Sequence, residues 1–314
     1  MHRLSFAVLT AALAAQTPIA PTTAPIATET AVVVPATKPG DVPVGKAELR
    51  AELGGTALAV FTYRPANWSG KRMLIVLHGV LRNADEYRDH AVGMGDRFDM
   101  LVVAPKFDSE RFPSRAYQRG GILREDKTAA PPSEWTYALI PQLAAWMRTT
   151  TGKSELQHWI IGHSAGGQFA MRMSAFQDTG AQCIVAANPG TVLWPTTEMD
   201  FGYGFGGLPA ELADDARLRS YLAAPLVLYL GTADDHPDDN FDGSKEGMQQ
   251  GAGRHQRGLS LYWTARTIAR QRGWPFHWRL VEAPGVEHDH EKMFAHEQCA
   301  RALFGDAAVA PAAR

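Results

Sequence analysis

The sequence predicts an α/β fold, a mostly parallel central sheet with helices on both faces. Three observations point there. Residues 73–77, 100–104, 159–161, 183–187 and 226–230 are short, unbroken apolar runs, the pattern of strands buried on both sides. Helical stretches separate several of them, and strand–helix alternation of this kind builds parallel sheets through right-handed crossovers. The 314 residues are 45% apolar and 20% charged, ample material for a core on each face of the sheet.

Each element has its own signal. Residues 48–65 make two antiparallel strands around Gly54-Gly55. Residues 276–281 (FHWRLV) alternate apolar and polar side chains, as a strand nearer the sheet edge does. Leu139, Ile140, Leu143, Trp146 and Met147 recur on one helical face before Gly152, and Pro141 marks where regular turns begin. Residues 165–176 and 259–271 carry helical patterns, and 290–303 closes the domain as a helix.

The ends differ in kind. Residues 1–14 have the form of a secretory signal peptide: His2 and Arg3, then an apolar stretch too short to span a bilayer. Ala12 and Ala14 place the cut after Ala14, with a cut after Ala20 as the alternative. Residues 15–45 are a Pro/Thr/Ala-rich linker that cannot build a packed core. The catalytic domain is expected over residues 46–304, and 305–314 form a flexible tail. The expected location is therefore outside the cytoplasm, periplasmic or extracellular. No later apolar segment is long enough for stable membrane insertion. A formal net charge of -2 with no basic stripe argues against nucleic acid as a partner. Cys183 and Cys299 can pair in an oxidising compartment or stay as two buried thiols, which sequence leaves open.

The strongest local signal is Gly162-His163-Ser164-Ala165-Gly166, with an apolar strand before it and a helical stretch after it. This is G-x-S-x-G in a strand–turn–helix setting. The turn strains the backbone at Ser164 and holds its hydroxyl clear of the sheet. Side chains at 162 and 166 would collide with neighbouring backbone, so glycine fits both. The helix start aims amide groups at the site, where they favour a developing oxyanion. A serine nucleophile needs a general base, and the base needs an orienting carboxylate. The strand at 226–230 runs into Gly231-Thr232-Ala233-Asp234-Asp235, which offers Asp234 with Asp235 as its rival. His288, in Pro284-Gly285-Val286-Glu287-His288, follows the last strand, with His290 as its rival. Upstream, the strand at 73–77 ends in His78-Gly79-Val80.

Together these motifs resemble the α/β-hydrolase superfamily. They look nearest to secreted esterases similar to polyhydroxyalkanoate depolymerases, feruloyl esterases and dienelactone hydrolases. The resemblance covers roughly residues 70–304 and implies Ser164 as nucleophile, Asp234 as acid and His288 as base. It implies the Val80 and Ala165 N–H groups as oxyanion donors, with Gly162, His163 and Gly166 forming the elbow. Two departures stand out. There is no H-G-G-G run, and an extra loop, 236–257, lengthens the stretch between Asp234 and His288.

Within that loop, Asp238-Asp239-Asn240-Phe241-Asp242-Gly243 matches the first half of a calcium-binding loop. Gln249 stands where a bidentate Glu is needed and no entering helix is evident, so the stretch reads as a solvated loop. No metal and no cofactor are expected. The segment 188–221 is rich in Gly, Pro and aromatics, and it offers Trp194 and Tyr203 as substrate-lining residues. The expected substrate is a small-molecule or polymeric ester, its identity and acyl length left open. A peptidase or amidase on the same scaffold, and a non-catalytic binding protein, are the alternatives.

Overall fold

The computed structural model describes residues 42–306, so the expected signal peptide, the linker up to residue 41 and the tail from residue 307 lie outside the described residues. Eight strands form one sheet: β1 (Gly45–Leu53), β2 (Thr56–Arg64), β3 (Arg72–Leu77), β4 (Leu101–Pro105), β5 (Gln157–His163), β6 (Ile184–Ala187), β7 (Leu226–Gly231) and β8 (Arg279–Ala283). Their spatial order is β1-β2-β4-β3-β5-β6-β7-β8. β1 and β2 form an antiparallel hairpin through Gly54-Gly55, both at positive φ, and β2 also runs antiparallel to β4. All other neighbouring pairs are parallel.

The helices are α1 (Ala84–His90), α2 (Val92–Phe98), α3 (Ser114–Tyr117), α4 (Leu139–Thr151), α5 (Ala165–Phe176), α6 (Ala210–Ala213), α7 (Asp215–Leu222), α8 (Lys245–Gln250), α9 (Arg254–Arg272), α10 (His290–Ala295) and α11 (Gln298–Phe304). The central strands are buried on both faces because alternate residues enter different cores. Met73, Ile75, Leu101, Ile160 and Leu228 pack with Leu143, Phe169 and Leu261 of α4, α5 and α9. Leu74, Val76, Val102, Ile161 and Tyr229 pack with Tyr87, Met94, Phe294 and Leu303 of α1, α2, α10 and α11. This two-sided burial is why these strands read as unbroken apolar runs.

Three boundaries differ from expectation. β8 starts only at Arg279. The residues before it are tied to the end of α7: the His277 N–H donates to Leu222 O, and the Trp278 indole donates to Tyr221 O. Helix α9 begins at Arg254, before its apolar pattern does, because Arg254 and Arg257 are buried polar residues. The closing helix is broken in two. His296 takes an extended backbone, and its ring nitrogen accepts the Gln298 N–H at 3.1 Å, which caps the start of α11.

Both cysteines are free and buried. Cys183 sits against the Ala302 carbonyl and the Arg279 guanidinium, while Cys299 sits on the sulfur of Met94. Burial pushes their thiols up to about 11 and about 12.

Candidate active site

The loops that leave β3, β5, β6, β7 and β8 all emerge at the carboxyl edge of the sheet, where ligands gather in open α/β folds. Ser164, between β5 and α5, has φ 57° and ψ −117°. A non-glycine residue in that region is strained, and the strain projects the side chain away from the strand end. The tightness of the turn appears in its glycines. A Cβ on Gly162 would strike the carbonyl of Gly166, and one on Gly166 would strike the carbonyl of Leu77. The start of α5 is therefore pressed against the exit of β3. Ala165 is the first residue of α5, so its N–H has no partner within the helix.

The turn after β3 is rigid. His78 is buried, its Nε2 accepting the Phe107 N–H at 3.0 Å and its ring stacked on Tyr117 at 4.7 Å. The Tyr117 hydroxyl donates to the His78 carbonyl at 2.8 Å. Arg82, at φ 63°, donates to the carbonyls of Phe107 and Phe112. Val80 lies exposed between these anchors.

Asp234 is 2% exposed and His288 lies against it, Nδ1 to Oδ2 at 2.7 Å. That bond leaves Nε2 of His288 available for the Ser164 hydroxyl, although the two are not hydrogen-bonded in this structure. Of the rival pair, Asp235 points outward and approaches only His236, at 3.9 Å. His290 turns away from Asp234: it stacks on Tyr87 at 3.9 Å and meets His90 at 2.9 Å. Burial, then the neighbouring His90, holds His290 down to about 4.

His163 is buried beside the elbow, its ring 4.6 Å from that of His288. Its Nδ1 meets the Tyr87 hydroxyl at 3.3 Å. Burial, then the neighbouring His288 and His290, lowers its pKa well below the usual range, so the ring is held neutral. Of the two aromatics from the 188–221 segment, Tyr203 lines a cavity of about 560 Å³ with Arg115, Arg119 and Phe201. Its hydroxyl donates to Asp242 at 2.7 Å. Trp194 packs against the main core instead.

Two residues of the site carry no motif in the sequence. Arg254 is 1% exposed and bridges Asp234 (3.4 Å) and Asp238 (2.7 Å). Asn188, at φ 40° just after β6, accepts the Gly231 N–H at 2.7 Å and donates to the Glu287 carbonyl at 3.1 Å. It thereby fastens the loops that carry Asp234 and His288 to each other. The half calcium-loop is occupied by protein contacts. Asp238 takes Arg254, Asp242 takes Tyr203 and the Ser244 N–H, and Phe241 lies under Arg257 at 4.1 Å.

A strained serine at a strand–helix elbow, with a half-buried imidazole bonded to a buried carboxylate at the same sheet edge, belongs to the class of α/β folds built for hydrolysis. Solved structures agree. The chain is 31% identical to LpqC, a poly(3-hydroxybutyrate) depolymerase from Bordetella parapertussis, over 82% of this chain and 90% of that one, with a TM-score of 0.76. It is 33% identical to poly(aspartic acid) hydrolase-1 from Sphingomonas sp. KT-1, over 82% of this chain and 96% of that one, with a TM-score of 0.75. No family model and no curated protein matches the chain. The chain belongs to the α/β-hydrolase superfamily.

Proposed function

We propose that the protein is a serine hydrolase that cleaves carboxylic esters through an acyl-enzyme. The observation that carries this reading is the buried Asp234–His288 bond at the same sheet edge as the strained Ser164 elbow. His288 takes the Ser164 proton at Nε2 as Oγ attacks the ester carbonyl. The tetrahedral oxyanion receives the N–H groups of Val80 and Ala165, each contributing on the order of 3 kcal/mol to barrier lowering. The C–O bond to the alcohol then breaks, and His288 gives its proton to the departing oxygen. Water repeats the sequence on the acyl-enzyme and releases the acid. Asp234 fixes the imidazole tautomer and stabilises the imidazolium. Catalytic hydrogen bonds often form fully only in the substrate complex, and the one from Ser164 to His288 would be made there.

Two relatives named for polymer hydrolysis favour an oligomeric or polymeric substrate. Among the described residues no helix is long and apolar enough to cross a membrane. Amide cleavage is the second reading, because the relative at 33% identity acts on poly(aspartic acid), a polymer joined by amide bonds.

The test is p-nitrophenyl ester hydrolysis from acetyl to palmitoyl, with Ser164→Ala alongside and a matched anilide in parallel. Ester turnover lost in the variant supports the scheme. Equal turnover by Ser164→Ala overturns it, and faster anilide than ester cleavage moves the assignment to an amidase.

A further inference from the structure

The cleft beside Asp234 and His288, about 510 Å³ in volume, is lined by a second group of side chains as well. Glu86 and His90 come from α1, and His290 is the first residue of α10. One donor atom from each lies within 4.8 Å of the other two. His90 Nδ1 and His290 Nε2 are 2.9 Å apart, and Glu86 Oε1 is 3.8 Å from His290 Nε2.

The spacing suits a shared cation. Two ring nitrogens bound to one tetrahedral ion at about 2.05 Å sit about 3.3 Å apart, so the histidine pair needs to open by only about 0.4 Å. Two imidazole nitrogens that face each other hold one proton between them, and a cation in its place satisfies both lone pairs. Neighbours already orient the three ligands. Glu86 Oε2 accepts the Asn83 amide at 2.6 Å, which leaves Oε1 turned towards His290. The His290 ring lies flat on Tyr87, 3° from parallel. His90 has its other nitrogen near Glu291, at 3.7 Å, so a carboxylate stands on the far side of the ring. Side-chain exposures of 24% for His90, 17% for His290 and 49% for Glu86 leave an entry path from the cleft.

The geometry points to a divalent transition-metal site formed by Glu86, His90 and His290, separate from the hydrolytic residues. Two imidazoles and one carboxylate, with a fourth position open to the cleft, suit Zn²⁺ or Co²⁺ rather than Ca²⁺ or Mg²⁺. Binding depends on none of Ser164, Asp234 or His288 acting in catalysis.

An untagged chain, freed of metal by chelation and dialysis, is titrated with ZnCl₂ by calorimetry and with CoCl₂ by visible absorption. One equivalent of each is expected, with Co²⁺ giving the intense bands of a four-coordinate ion. His90→Ala and His290→Asn should each weaken binding by roughly 100-fold, and Asn83→Ala by roughly tenfold. His255→Ala, a histidine paired with Glu282 elsewhere, and Ser164→Ala should bind as the parent does. Circular dichroism establishes that each variant is folded. No saturable binding by the parent overturns the site. So does unchanged binding by His290→Asn, which removes a ligand while keeping a side chain of similar polarity.

Discussion

Acid should destabilise this protein before its carboxylates protonate, because four histidines, His163, His290, His78 and His158, are held as neutral rings. His78 is held down to about 4, first by burial and then by the charges of Arg82 and Lys106. His158 is held down to about 4 by burial and by Arg148. In the unfolded chain both return to the ordinary value of 6.5. The unfolded state then binds more protons between these two values. Stability is complete above pH 6.5 and is lost as the pH falls towards 4. Integrating that difference from pH 7.5 to pH 5 gives a loss of about 2 kcal/mol for each ring, about 4 kcal/mol for the pair. That is a large part of the stability of an ordinary domain. Urea unfolding followed by tryptophan fluorescence at pH 7.5, 6 and 5 reads the loss directly. His158→Gln, neutral throughout, should reduce the fall by about 2 kcal/mol. An unfolding free energy that stays flat to pH 5, or a fall the variant leaves unchanged, would refute the reasoning.

Other outcomes follow from the site. Asp234→Asn should lower ester turnover by about 10⁴-fold through the wrong imidazole tautomer, whereas the outward-facing Asp235→Asn should change it little; steady-state kinetics of both variants decide. Arg254→Gln leaves two carboxylates without their buried cation and should cost about 3–5 kcal/mol in denaturant unfolding, with kcat reduced more than KM raised. Gly166→Ala drives a methyl group into the Leu77 carbonyl and should abolish activity even where circular dichroism shows retained fold. Cys183 and Cys299 should resist a thiol reagent in the native state and react together in urea.

The fold was legible because its strands are buried on both sides, so their apolar runs stand out with no need of periodicity. The elbow was legible for a related reason: residues 162–166 are local, and glycine is demanded by backbone crowding within a few residues. Asp234 and His288 were preferred from their places after β7 and β8, with Asp235 and His290 as rivals, and their meeting at 2.7 Å is a contact that sequence could not display. Each rival differs from its neighbour only in which way it faces, and that is set by packing from distant segments. Arg254 and Asn188 left no local mark, since an arginine opening a helix is ordinary and its burial is a tertiary fact. Glu86, His90 and His290 were equally invisible, because two hundred residues separate the histidines that meet. α1 and α2 gave no clean stripe. Each is only 7 residues long, and α1 is mostly charged.

Arg254 holds more than a carboxylate. One of its nitrogens meets Asp234 beneath His288, and another meets Asp238 on the outer loop. The loop that follows β7 is thus mechanically geared to the proton-handling pair. A long substrate pressing on residues 238–242 would pull on the same guanidinium that steadies Asp234. Exchanging this loop would also remove one of the two carboxylates that hold Arg254 against Asp234, so loop and buried ion pair must be redesigned together.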